Sequence, residues 1–145
     1  MQDITTLIQD VRNKQNQIRT LKRELNISLE PKLKDTDIID VIFEWYKDIY
    51  PIDNNQGRNF NTHYILCFMF IIILFYSPRV LIGARMRLGI RSKMAQLLNY
   101  TPCTISGYLQ KVGFFYDKYK DYRDTINFCY SEIYKRLLEE GIISH

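Results

Sequence analysis

At 145 residues, with 46% of them hydrophobic, the chain suits one domain with an appendage and has ample material for a core. Its net charge of +4 does not define a partner, but the charge is unevenly placed: positions 54–116 hold seven basic residues and no acidic one, whereas the rest of the chain holds 13 basic and 16 acidic residues. Cys67, Cys103 and Cys129 lie far apart with no C-x-x-C spacing and only His63 and His145 to join them, which argues against a zinc site and for a reducing compartment.

The N-terminus "MQDITTLIQDVRN" lacks the charged-then-apolar order of a signal peptide, so a cytoplasmic protein is expected. Richness in Ile, Asn, Lys and Tyr points to an AT-rich genome of bacterial or phage kind.

Residues 1–30 form the first region. Ile4, Val11, Ile18 and Leu25 take heptad position a, and Leu7 and Leu21 take d, with Lys14 standing where another apolar residue belongs. β-Branched side chains at a with Leu at d favour two parallel strands, which implies a homodimer. The poor charge pattern at the flanking positions keeps open an amphipathic helix folded against its own domain. Glu30-Pro31 then interrupts helical propagation, and a linker runs to about Lys34.

Residues 35–145 form the second region. Asp35 or Thr36 caps the helix "DIIDVIFEWYKDIY", whose Ile38, Ile39, Ile42, Trp45, Tyr46 and Ile49 form a broad apolar face, and Pro51 stops it. "PIDNNQGRNFN" is rich in turn residues. From Tyr64 to Tyr76 the next helix is apolar all round. Those 13 residues rise about 20 Å against the roughly 30 Å of a bilayer core, so the segment reads as a buried central helix and no membrane association is expected. Ser77-Pro78 opens a short helix, "PRVLIG", and "GARMRLGIR" is a basic connection made pliable by Gly83 and Gly89.

Residues 93–112, "KMAQLLNYTPCTISGYLQKV", read as two short helices hinged at Asn99-Tyr100-Thr101. Two helices crossing steeply through a tight turn need a small residue at the point of contact, a residue tolerant of the left-handed backbone in the turn, and an apolar plug in the second helix. Counting Arg91 as the first position, Ala95 at the fifth, Asn99 at the ninth and Ile105 at the fifteenth meet these needs, with Met94, Leu98, Tyr100 and Tyr108 expected to face inward. Thr101 and Pro102 cap and open the second helix.

Over about 20 residues this stretch resembles the helix-turn-helix of bacterial repressors and related phage regulators, with Asn99 in place of the usual Gly. The resemblance implies that a helix from Pro102 to Val112 enters the major groove of double-stranded DNA. Thr101, Cys103, Thr104, Ser106, Gly107, Gln110 and Lys111 would then meet it, with Gln110 suited to adenine and the Thr104 methyl to thymine. Arg85, Arg87, Arg91, Lys93 and Lys111 are the phosphate candidates.

Beyond Gly113, Phe115, Tyr119, Tyr122, Ile126, Tyr130, Ile133 and Leu137 recur at helical spacing, which predicts one long amphipathic helix ended by Gly141 and no β-wing. The tyrosines read as core and not as stacking platforms, and Asp117, Asp121 and Asp124 as a solvated face and not a metal site. No phosphate loop or zinc-protease motif is present, so neither an enzyme nor a cofactor is expected. The expectation is an all-α, dimeric DNA-binding protein that regulates transcription or assists replication or maintenance. The competing reading is a protein-interaction or assembly module that uses the heptad segment and the Tyr-rich helix.

Overall fold

The computed structural model describes residues 3–51 and 60–144. Every regular element among them is helical and none is a strand, so the protein is all-α. The chain divides into two compact units, Met1–Glu30 and Pro31–His145. Arg58 and most of the turn-rich segment at 51–61 lie outside the described residues.

The first unit contains one helix, α1 (Ile4–Ser28), none of whose residues is buried. Ile4, Leu7, Val11, Ile18, Leu21 and Leu25 run along it, none less than 46% exposed. Lys14, which interrupts this stripe, sets its ammonium 3.0 Å from Asp10 one turn back, so its charge is compensated within its own helix.

The second unit contains α2 (Asp37–Ile49), α3 (Phe60–Tyr76), a 3-10 turn (Pro78–Ile82), α4 (Ile90–Leu98), α5 (Pro102–Leu109), α6 (Val112–Lys118) and α7 (Lys120–Glu139). The start of α2 is fixed by Asp35, whose Oδ1 accepts the Asp37 N–H at 2.9 Å, and its first turn carries Asp37 and Asp40, as the helix dipole favours. Ile39, Ile42 and Tyr46 fall on one face and are fully buried.

Helix α3 is the centre. It packs against α2, α4, α5, α6 and α7, and a helix surrounded in this way must be apolar on every side. Ile65 to Tyr76 are accordingly buried, apart from the half-buried Leu74. No helix among the described residues is long and apolar enough to cross a membrane. Polar clamps fix the helix along its length. Tyr46 Oη donates to Tyr64 O at 2.6 Å, Tyr76 Oη donates to Asp35 O at 2.6 Å, and Phe75 O accepts the N–H groups of Lys32 and Leu33. Ring stacking ties it to the C-terminal helices, Phe70 on Tyr116 at 4.9 Å and Phe75 on Tyr130 at 4.6 Å.

The single long helix expected after Gly113 is instead two. Tyr119 is extended, at φ −116° and ψ 122°, and separates α6 from α7. A helix end frees carbonyl groups that need donors, and here Arg123 supplies them. Its Nη1 reaches Tyr116 O at 3.4 Å and Asp117 O at 3.2 Å. The bend also lets Phe115, Tyr119 and Tyr122 meet in one aromatic cluster, with Tyr122 buried. Helix α7 buries Tyr122, Ile126, Cys129, Ile133 and Leu137, and it closes at the left-handed Gly141, past which Ile142 N–H bonds back to Leu137 O at 2.9 Å.

Candidate functional site

The site is built on α4 and α5. Gly89, left-handed at φ 87°, starts α4, and Ile90, Met94 and Ala95 bury its inner face. The helix stops at Asn99, which is left-handed at φ 62° and ψ 44° and is the one non-glycine residue with positive φ among those described. Its side chain makes that conformation less costly than for most residues, and Tyr100 N–H bonds back across the turn to Ala95 O at 2.9 Å. Thr101 then caps α5, its Oγ1 accepting the Thr104 N–H at 3.3 Å, with Pro102 at the first helical position. Ile105 has no exposed surface and pins α5 to the core, in contact with α3 and α4.

With Ile105 inward, the opposite side of α5 is open. Thr101, Cys103, Thr104 and Gly107 are exposed and Ser106 is half-buried. A Cβ added at Gly107 would meet nothing within 4 Å, so packing within the protein does not demand glycine there. Arg91, exposed near the start of α4, donates from Nη1 to Ser106 Oγ at 2.9 Å and thereby joins the two helices along this face. Arg85 and Arg87 are exposed in the connection before α4. Arg87 is tethered there, its N–H directed to Ser77 Oγ at 3.4 Å and Nη1 to Tyr76 O at 3.5 Å.

Three details differ from the sequence expectation. Helix α5 ends at Leu109 and not at Val112, because Val112 turns inward and begins α6. Gln110 and Lys111 therefore sit exposed in the intervening turn, where Lys111 N–H bonds to Tyr108 O at 2.9 Å. Tyr100 is 38% exposed, its ring edge-on to Tyr108, while Met94 is buried and Leu98 and Tyr108 are half-buried. Lys93 is half-buried and turned toward α2. Its Nζ lies 2.6 Å from Asp40 on α2, with only 22% of its side chain exposed. A lysine from a stretch with no acidic residue in sequence thus finds a carboxylate in space.

A second polar cluster joins three elements that no short spacing connects. His63 Nδ1 lies 2.6 Å from Tyr50 Oη, Nε2 lies 3.8 Å from Asp121 Oδ2, Cys67 Sγ sits 3.9 Å from both ring nitrogens, and the Tyr122 ring centroid is 4.4 Å away. Burial pushes the Cys67 thiol and the Tyr50 phenol well up, brings Tyr122 to about 12 and Cys129 to about 12, and lowers His63 against the opposing pull of Asp121. Protonated thiols and phenols are poor nucleophiles, and the contacts of His63 link the end of α2 with α3 and α7. Its one local sequence signal is the i, i+4 spacing of His63 and Cys67. Among the described residues no group of three or more His, Cys, Asp or Glu side chains is placed to hold a metal ion.

Comparison of the chain with protein-family models, with curated proteins and with solved structures finds no match.

Proposed function

We propose that the protein binds double-stranded DNA through a helix-turn-helix formed by α4 and α5, with α5 in the major groove. It would work by occupying its site, as a regulator of transcription or an accessory factor in replication or maintenance, in the cytoplasm of a bacterium or for a mobile element. One observation carries the reading: the left-handed Asn99 joint, with Ala95 and Ile105 sealed inward, leaves the short polar side chains of α5 outward beside Arg91. Short side chains and an open glycine allow close approach of a groove, and Arg85, Arg87 and Lys111, exposed in the segments before and after the pair, would meet phosphates.

The proposal includes a homodimer. Removing the exposed apolar stripe of α1 from water against a second copy would stabilise both helices, and a two-fold protein matches a two-fold site. The same exposed stripe favours the second reading, an assembly module in which α4 and α5 serve only as scaffold. Selection of bound fragments from random duplex DNA separates them. Enrichment of a palindromic site supports a dimeric DNA reader, and failure to enrich any fragment supports the assembly role.

A further inference from the structure

The connection between the 3-10 turn and α4 presents a side chain for which the fold itself has no use. Leu88 is 100% exposed. A single exposed leucine is ordinary on a protein surface, but the setting of this one is not. The backbone is fixed on both sides of it: left-handed Gly83 and Gly89 bracket the connection, Arg87 is tied to Tyr76 and Ser77, Ile90 N–H bonds to Arg87 O at 3.4 Å, and Ile90 is anchored at 2% exposure. Leu88 is therefore held out and not left loose. Exposed cations precede it at Arg85 and Arg87, and Arg91, three residues further on, bonds to Ser106 on the open face of α5.

We infer that Leu88 is a wedge that enters the minor groove beside the major groove occupied by α5. There it would partly unstack one base step and bend the duplex, while Arg85 and Arg87 hold nearby phosphates. This rests on the DNA-binding reading and extends it from groove occupancy to deformation. Apolar side chains flanked by arginines act in this way because insertion removes them from water and the bend brings more phosphates to the cations. Unstacking is easiest at flexible pyrimidine–purine steps, so the bend centres on a TA or CA step. Leu81 and Ile82, exposed in the preceding 3-10 turn, add apolar side chains to this basic segment, a chemistry that would also fit an anionic lipid headgroup layer. The bond from Arg91 to Ser106, which joins this end of α4 to α5, favours duplex DNA.

The test uses the full chain and a duplex of about 30 base pairs carrying a donor and an acceptor dye at its ends, with 2-aminopurine at a central TA step. Wild type should bring the ends closer and raise the 2-aminopurine signal. Leu88→Ala, at a position without packing, should stay folded and keep the salt dependence of binding, but lose both signals. Leu88→Phe should restore them. Binding without bending by wild type, or undiminished bending by Leu88→Ala, would overturn the wedge and leave the DNA reading intact. Absence of any salt-sensitive duplex binding by wild type would overturn both. Association with phosphatidylglycerol vesicles that is lost in Leu88→Ala, with DNA bending unaltered, would assign the surface to lipid and overturn the wedge.

Discussion

Arg91 and Ser106 meet at 2.9 Å across the two helices of the proposed DNA-binding unit. The bond takes one of five guanidinium donors and leaves the rest for a phosphate, so it aims the charge without neutralising it. Removing either partner should have separable effects. Ser106→Ala frees the arginine but keeps its charge, and should weaken duplex binding with no change in its salt slope. Arg91→Ala should weaken it further and reduce the slope by about 0.9. Titrations at several salt concentrations distinguish the two.

Lys93 and Asp40 are 2.6 Å apart on α4 and α2. With 46% of the Asp40 side chain exposed, the pair is screened, and its coupling in a double-mutant cycle of Lys93→Met and Asp40→Asn should be about 0.5–1 kcal/mol and fall as salt is raised. Lys93→Met should change the salt slope of DNA binding little. A loss in slope as large as that of Arg91→Ala would mean that the lysine leaves Asp40 for a phosphate.

Gly107 offers a trade-off between stability and function. A methyl there meets open space in the protein, and alanine is favoured over glycine inside a helix by about 0.5–1 kcal/mol. Gly107→Ala should raise the melting temperature. If α5 lies deep in a groove, the same methyl intrudes on the DNA at a cost of about 1–3 kcal/mol, roughly 5- to 150-fold in affinity. Thermal melts and binding isotherms of one variant test both halves.

His63 should make stability depend on pH. Burial holds its folded-state pKa below the ordinary 6.5, and the exposed Asp121 carboxylate only partly offsets this. The unfolded chain therefore takes up the proton first. The contribution of neutral His63 is complete above about 6.5 and is lost as pH falls through that value toward the lower folded-state pKa. The Tyr50 hydroxyl lies 2.6 Å from Nδ1 and donates to it in the neutral tautomer that carries its proton on Nε2; protonation of Nδ1 would reverse that bond. Urea midpoints measured between about pH 7.5 and 5.5 should decline, and His63→Gln should flatten that decline.

Local signals carried much of the architecture. The all-round apolar run from Tyr64 to Tyr76 is long enough for a helix, too short for a bilayer, and uniform in the way a helix with five neighbours must be. Asn99, Thr101 and Pro102 marked the joint because left-handed backbone, capping and a fixed φ each select residue types. Features that depend on distant partners were not legible. The apolar spacing of Phe115, Tyr119 and Tyr122 is the same whether or not the helix breaks at Tyr119, and the break depends on Arg123 folding back to reach Tyr116 O. The Lys93 and Asp40 pair links separate helices, so a count of charges by segment misses it. Beyond the i, i+4 spacing to Cys67 in its own helix, the contacts of His63 come from Tyr50 at the end of α2 and from α7 and leave no spacing to read.

The central claim, that the face of α4 and α5 binds duplex DNA, is tested most directly by affinity for random duplex as a function of salt. Arg85, Arg87, Arg91 and Lys111 have no carboxylate partner among the described residues. If each neutralises one phosphate, log affinity should fall with log salt at a slope of about 3.6 per copy, from binding measurable at about 50 mM salt. Arg91→Glu combined with Lys111→Glu should abolish that binding and leave the helical circular-dichroism signal unchanged. No binding by the wild type at about 50 mM salt, or binding unaffected by the double substitution, would contradict it.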